Sequence, residues 1–255
     1  MTEIVVQEPG VRLQASLGTF KRRIDSFPGR IIDRKKNLHP VEISEISHLS
    51  MLFLKLFRES GITATQPTSL NVVLPGGSYS EIVGAHLAAS ALGVPRTNIT
   101  NINLKLLSDK DSLKRVFLQE GEETDGAMTM QVGSTNIRLQ VGDASLPTNK
   151  EHLPPADATM VFVGNCQVGM KDVVANWATF GTETGKPFVL AVTATNEEGE
   201  RQQVKTMFDQ AKERGDLSTV NGMEGTENPF KFNFPGAFGH ARITNHDYLF
   251  VAASQ

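Results

Sequence analysis

Residues 68–95 read TSLNVVLPGGSYSEIVGAHLAASALGVP, and the stretch divides into a strand, a glycine turn and a helix. Residues 71–74 form a short apolar run with paired valines, closed by a turn at Pro75-Gly76-Gly77. Ser78-Tyr79-Ser80-Glu81 then has the spacing of a capping box. The Ser78 hydroxyl accepts from a backbone N–H one turn in, and the Glu81 carboxylate reaches back to the Ser78 N–H. Ile82, Ala85, Ala89 and Leu92 follow at helical spacing, with Gly93 as the stop. A strand that feeds glycines into a helix N-terminus is expected to bring free backbone N–H groups and the positive helix end to one spot. In α/β sheets that spot holds nucleotide-like ligands.

Working outward on the N-terminal side, residues 40–59 carry Ile46, Leu49, Phe53, Leu56 and Phe57 at three- and four-residue steps behind Pro40. They predict an amphipathic helix ended by Gly61, packed on the sheet as core or placed over the crevice as a lid. Residues 21–36, KRRIDSFPGRIIDRKK, hold seven basic side chains against Asp25 and Asp33. They form either a solvated surface segment or an arm for an anionic partner. Residues 1–65 are thus expected to be an N-terminal extension, and 66–255 the main domain.

On the C-terminal side, residues 98–107 predict a second strand through Ile99, Ile102, Leu104 and Leu106, followed by Asp109 and Asp111. An acid at that place is the usual partner of a ribose hydroxyl, and equally a plain helix N-cap. Residues 112–119 read as helix and 120–126 as an acidic turn. Met128, Met130 and Val132, then Ile137, Leu139 and Val141, alternate with polar residues around Gly133-Ser134-Thr135-Asn136, which is a hairpin pattern. The second arm runs into Gly142-Asp143-Ala144-Ser145-Leu146-Pro147. Residues 158–163 are continuously apolar, hence a strand buried on both faces, and Gly164-Asn165-Cys166 lies at its end. A helix through Val173, Val174 and Trp177 comes next, then an apolar strand over 187–193. Thr195 to Glu198 offers a second capping box ahead of a helix through Val204, Met207, Phe208 and Ala211 that Gly215 stops. A polar loop at 216–229, an alternating Phe230, Phe232 and Phe234 run, and a final strand at 248–252 close the chain. The order βαβα, hairpin, βαβα and two strands predicts a doubly wound, mostly parallel seven-stranded α/β sheet with an antiparallel terminal strand pair.

Composition bounds the class. The chain has 255 residues, 39% hydrophobic and 21% charged, with a formal net charge of −3, which suits a globular core and gives no reason to expect a nucleic-acid binder driven by positive charge. The one cysteine excludes an internal disulfide framework and any zinc site of several thiolates. No run approaches the ~20 apolar residues that cross a bilayer, and residues 1–10 do not resemble a signal peptide. No membrane partner and a cytoplasmic location are the expectation.

Taken together, the pieces from about residue 70 to 254 resemble the class I S-adenosylmethionine-dependent methyltransferases, with a Rossmann-like domain. The resemblance rests on the Leu74-Pro75-Gly76-Gly77 turn after the first strand, the Val141-Gly142-Asp143-Ala144-Ser145-Leu146-Pro147 segment after the third, and the terminal strand pair. The first motif differs from the family's in having two glycines behind Leu74 and Pro75. The resemblance implies S-adenosylmethionine as cofactor. It implies that Leu74, Pro75, Gly76, Gly77 and Ser78 pack on its methionine part, Asp109 (or Asp111) holds the ribose, and Gly142, Asp143 and Ala144 lie against the adenine. Asn165 and Cys166 then face the methyl-transfer position. The acceptor, whether small molecule, protein or RNA, would be chosen by the 216–229 loop and the N-terminal 60 residues.

No catalytic base identifies itself. His240, His246 and Tyr79 read first as surface or packing residues, and Cys166 as a small buried hydrophobe or a thiol whose pKa a helix start lowers. Two other readings stand beside methyl transfer. One is a different nucleotide-binding enzyme such as a nicotinamide oxidoreductase, although the turn is not G-x-G-x-x-G. The other is a non-catalytic protein of the same fold that acts by binding a partner.

Overall fold

The computed structural model describes residues 40–103, 107–124, 126–146, 153–164, 170–194, 198–215, 218–219, 226–227 and 248–254. In chain order these form α1 (Pro40–Glu59), β1 (Ser69–Pro75), α2 (Tyr79–Leu92), β2 (Arg96–Asn103), α3 (Leu107–Phe117), β3 (Glu122–Thr124), β4 (Ala127–Val132) and β5 (Thr135–Val141). There follow β6 (Ala158–Val163), α4 (Met170–Thr184), β7 (Phe188–Ala194), α5 (Glu198–Glu213), β8 (Ser218–Thr219), β9 (Thr226–Glu227) and β10 (Tyr248–Ser254).

The ten strands make one sheet in the order β3-β4-β5-β2-β1-β6-β7-β10-β8, with β9 also on β10. Strands β5, β2, β1, β6 and β7 run parallel, while β10 is antiparallel to β7. The doubly wound α/β sheet with a reversed last strand is therefore present, and its body is seven strands of six to eight residues.

Both faces are covered because the central strands are apolar on both sides. Val73, Val161, Val163, Leu190, Val192 and Phe250 point to one face and pack on α4 and α5 through Val173, Val174, Trp177, Val204 and Phe208. Leu70, Val72, Leu74 and Phe162 alternate with them and are likewise fully buried. Phe162 stacks on Phe53 of α1 with ring centroids 4.8 Å apart, so α1 packs as core. Each such buried side chain contributes roughly 1.5–3 kcal/mol. Where α1 crosses α2, a Cβ on Gly84 would lie 2.9 Å from Leu49 Cβ and 3.1 Å from the Ser50 nitrogen; glycine lets the two backbones approach. At the opposite ends of the strands, Asp157 accepts from the Thr68 hydroxyl at 2.6 Å, the Thr68 amide at 2.9 Å and the Ser69 amide at 3.1 Å. These donors hold its carboxyl below the ordinary range and tie the start of β1 to that of β6.

Three boundaries differ from the sequence expectation. Strand β2 ends at Asn103, and Leu107 already belongs to α3; a short apolar run does not distinguish strand from helix by periodicity. The acidic 120–126 turn contains β3, whose residues are all exposed and so carry no apolar alternation. Its Glu123 pairs with Lys110 of α3, and Lys114 pairs with Glu120 at 2.5 Å. The 216–229 loop contains β8 and β9, both antiparallel to β10. The basic 21–36 segment, the second capping box at 195–198 and the Phe230-Phe232-Phe234 strand lie wholly or largely outside the described residues.

His86 of α2 lies between Thr135 of β5, whose hydroxyl is 2.9 Å from Nδ1, and the Phe117 ring of α3, edge-on at 5.3 Å. Burial lowers its pKa from 6.5 to about 4. Protonation therefore favours the unfolded chain. The stabilisation of the neutral imidazole is complete above 6.5, declines as pH falls toward about 4, and is gone below it. The span is worth about 3 kcal/mol. Urea unfolding followed across this window should show that loss in the wild type and a flatter profile in His86→Gln.

Candidate functional site

The chain leaves β1 toward β2 on one side and returns later to β6 on the other, so the sheet has its topological switch point between β1 and β6. Ligands of open α/β sheets bind outside the carboxyl ends of the strands at such a point. Here those ends are tied together by backbone. The Gly76 N–H donates to Ile102 O at 2.8 Å, the Gly77 N–H to Leu74 O at 3.2 Å, and the Gly142 N–H to Asn103 O at 3.0 Å. Gly76 has φ +66, a conformation open to glycine without strain. A Cβ on Gly77 would meet Leu74 Cβ at 2.8 Å.

The capping box forms as expected. Ser78 N–H donates to Glu81 Oε2 at 2.6 Å, and Glu81 N–H to Ser78 Oγ at 3.4 Å. It narrows one expectation: part of the donor row at this turn is taken up inside the protein. Those of Gly76, Gly77, Ser78 and Glu81 are engaged within the protein, and the positive end of the 14-residue α2 is met by the chain's own carboxylate. Glu81 is 2% exposed. Its Oε1 occupies the place a side chain on Gly164 would need, and Oε2 lies 3.0 Å from where a Gly77 Cβ would be. The carboxylate is wedged between two glycines, one after β1 and one after β6. On the far side, the buried Thr193 hydroxyl of β7 donates to Gly164 O at 2.6 Å.

After β5, Asp143 Oδ1 accepts from the Ser145 hydroxyl at 2.7 Å and the Ser145 amide at 3.0 Å. These bonds, the hydroxyl first, hold its carboxyl below the ordinary carboxylate value, and the group is exposed at the crevice edge. Ala144 turns inward against the α4 core, and Asn176 donates to its carbonyl at 3.4 Å. Val141 and Leu146, at the two ends of this segment, are among the few large apolar side chains left exposed in the described residues, at 45% and 50%.

The structure brings Leu74, Pro75, Gly76, Gly77 and Ser78 together with Gly142, Asp143 and Ala144 along one edge. Asp109 lies in the first turn of α3, and Asn103 stands at the end of β2. Asn165, Cys166, His240 and His246 lie outside the described residues, and Tyr79 is the first residue of α2. Sequence reasoning missed Gly164, Thr193 and Asn101 as parts of the edge. Asn101 Nδ2 donates to Gly77 O at 2.9 Å, and its one sequence signal was an amide inside a buried strand. Among the described residues no group of three or more His, Cys, Asp or Glu is placed to hold a metal. No helix among them is long and apolar enough to cross a membrane.

No protein-family model and no curated protein sequence matches the chain. Similar solved structures include a DUF574-family protein from Streptomyces avermitilis MA-4680, at 10% identity over 84% of this chain and 82% of that one, TM-score 0.45. A methyltransferase-like protein from Thermobifida fusca YX, described as a putative methyltransferase, is 10% identical over 84% and 80%, TM-score 0.44. Trm1 from Pyrococcus horikoshii, in complex with S-adenosyl-L-methionine, is 14% identical over 86% of this chain and 56% of its own, TM-score 0.46. Such identities and scores carry nothing of function; the sheet order carries the fold.

A Gly164→Ala substitution drives its Cβ into Glu81 Oε1 and to 2.9 Å from the Phe162 ring. It should destabilise the protein by about 1–3 kcal/mol in thermal or urea unfolding. Gly199→Ala in α5, where nothing lies within 4 Å, should leave stability unchanged or raise it by up to about 1 kcal/mol. With its switch point between β1 and β6, the chain is a Rossmann-like α/β protein, and methyltransferases are among its solved structural neighbours.

Proposed function

We propose that the chain binds S-adenosylmethionine across the carboxyl ends of β1, β2 and β5 and transfers its methyl group to an acceptor. The observation that carries this reading is the state of the α2 N-terminus. A dinucleotide enzyme places its pyrophosphate on free N–H groups at that point. Here the N–H groups of Gly76, Gly77, Ser78 and Glu81 are spent inside the protein, and the Glu81 carboxyl group is buried beside the turn. A sulfonium cofactor has no phosphate and needs no such row of donors, so the same edge suits it.

The neighbouring residues support the rest of the placement. Asp143, ionised and oriented by Ser145, accepts from the exocyclic amine of the adenine, while the exposed Val141 and Leu146 side chains offer apolar surface to its ring. The ribose role expected of Asp109 passes to Asn103, which ends β2 beside the Gly142 amide. Methyl transfer needs alignment of nucleophile and sulfonium above all. The described residues assign no catalytic base, and the acceptor (a small molecule, protein or RNA) is left to segments beyond this edge.

Calorimetric titration with S-adenosylmethionine, S-adenosylhomocysteine and NAD tests the reading. Both sulfur ligands should bind and NAD should not. Asp143→Ala should weaken both by about tenfold or more, whereas Ser145→Ala, which breaks the turn and keeps the carboxylate, should cost less. A well-folded sample that binds neither sulfur ligand overturns the proposal and turns attention to a non-catalytic partner protein.

A further inference from the structure

Asn101 stands in a place that the rest of the sheet gives to aliphatic side chains. In register it lies between Leu74 of β1 and Leu139 of β5, on the face away from Val73 and Ile102. Those two neighbours are 0% and 1% exposed, and Asn101 itself is 2% exposed. A parallel strand buried on both faces reads as a continuous apolar run, so an amide here needs a reason. Nδ2 donates to Gly77 O at 2.9 Å, while Oδ1 is buried with no hydrogen-bond partner among the described residues. An orphaned buried acceptor is a net cost to the folded state.

We infer that Asn101 is a positioning residue for the ligand crevice, kept at a cost in stability because it fixes the Gly76-Gly77 turn. The inference rests on the proposed cofactor site. It also reaches beyond that reading, because none of the roles given to the turn involves a side chain from the middle of β2. The mechanism is steric and directional. Gly76 and Gly77 carry no side chains to limit their torsions, and their N–H bonds restrain one side of the turn only. The Asn101 amide takes the Gly77 carbonyl from below, which sets the peptide plane between Gly77 and Ser78 and with it the direction of the Ser78 N–H toward Glu81. A turn held at that plane presents the same surface to each incoming ligand, and the ordering cost is met before binding.

The test is Asn101→Leu, with Asn101→Thr as a second variant should leucine overpack the row. Asn101→Leu removes the orphaned acceptor but also the donor to the buried Gly77 carbonyl, two opposing effects, so the melting temperature should stay close to that of the wild type. Amide exchange at Gly77 and Ser78 should quicken while β6 and β7 keep their protection, and S-adenosylmethionine should bind about tenfold more weakly. A fall in melting temperature in step with the loss of binding would show an ordinary structural residue and overturn the inference, as would unaltered exchange at the turn. If the wild type binds no S-adenosylmethionine, the proposed function fails, and the melting and exchange measurements still decide the role of Asn101.

Discussion

The Glu81 carboxylate closes the joint between the two halves of the sheet. One oxygen takes the Ser78 N–H and the other lies against the backbone of Gly164. The first turn of α2, the turn after β1 and the end of β6 therefore have one arrangement, not three independent ones. Two glycines make room for it, and the helix dipole favours its charge. The Thr193 hydroxyl extends the same constraint to β7 by holding the Gly164 carbonyl. A cap that in an isolated helix adds only a modest increment becomes, in this position, the geometry of the crevice.

That joint also decides what the edge can recognise. Glycine turns at helix starts are commonly places where backbone amides await a phosphate. In this chain backbone carbonyls take the Gly76 and Gly77 amides, and the Glu81 carboxyl group takes that of Ser78. The edge is left with an oriented carboxylate at Asp143 and two exposed aliphatic side chains beside it. The combination suits a cationic ligand with a planar ring far better than a polyphosphate.

Two of the buried asparagines in the sheet tie its strands to a connection. Asn98 donates to Asn71 Oδ1 at 3.0 Å, and Asn71 in turn donates to Pro154 O at 2.7 Å, pinning the connection from β5 to β6 where it passes the strands' amino ends. Asn101 does the corresponding work at the carboxyl ends. Together they make β2 the least apolar of the central parallel strands, although its interior residues are as buried as those of β1.

The chain's local order was legible in its residues. Helix α1 over Pro40–Glu59, strand β6 over Ala158–Val163 and the Ser78–Glu81 box follow from periodicity, continuous apolarity and cap spacing, which involve neighbours a few residues apart. The alternation of strands and helices similarly implied a parallel sheet. Pairing decided the remainder. Three exposed residues become β3 only because β4 lies alongside, and the end of β2 is set where its partners β1 and β5 stop hydrogen bonding. The meeting of Glu81 with Gly164 has no sequence signature at all. A capping glutamate reads the same whether its second oxygen faces water or another strand's end, and only the adjacency of β1 and β6 determines which.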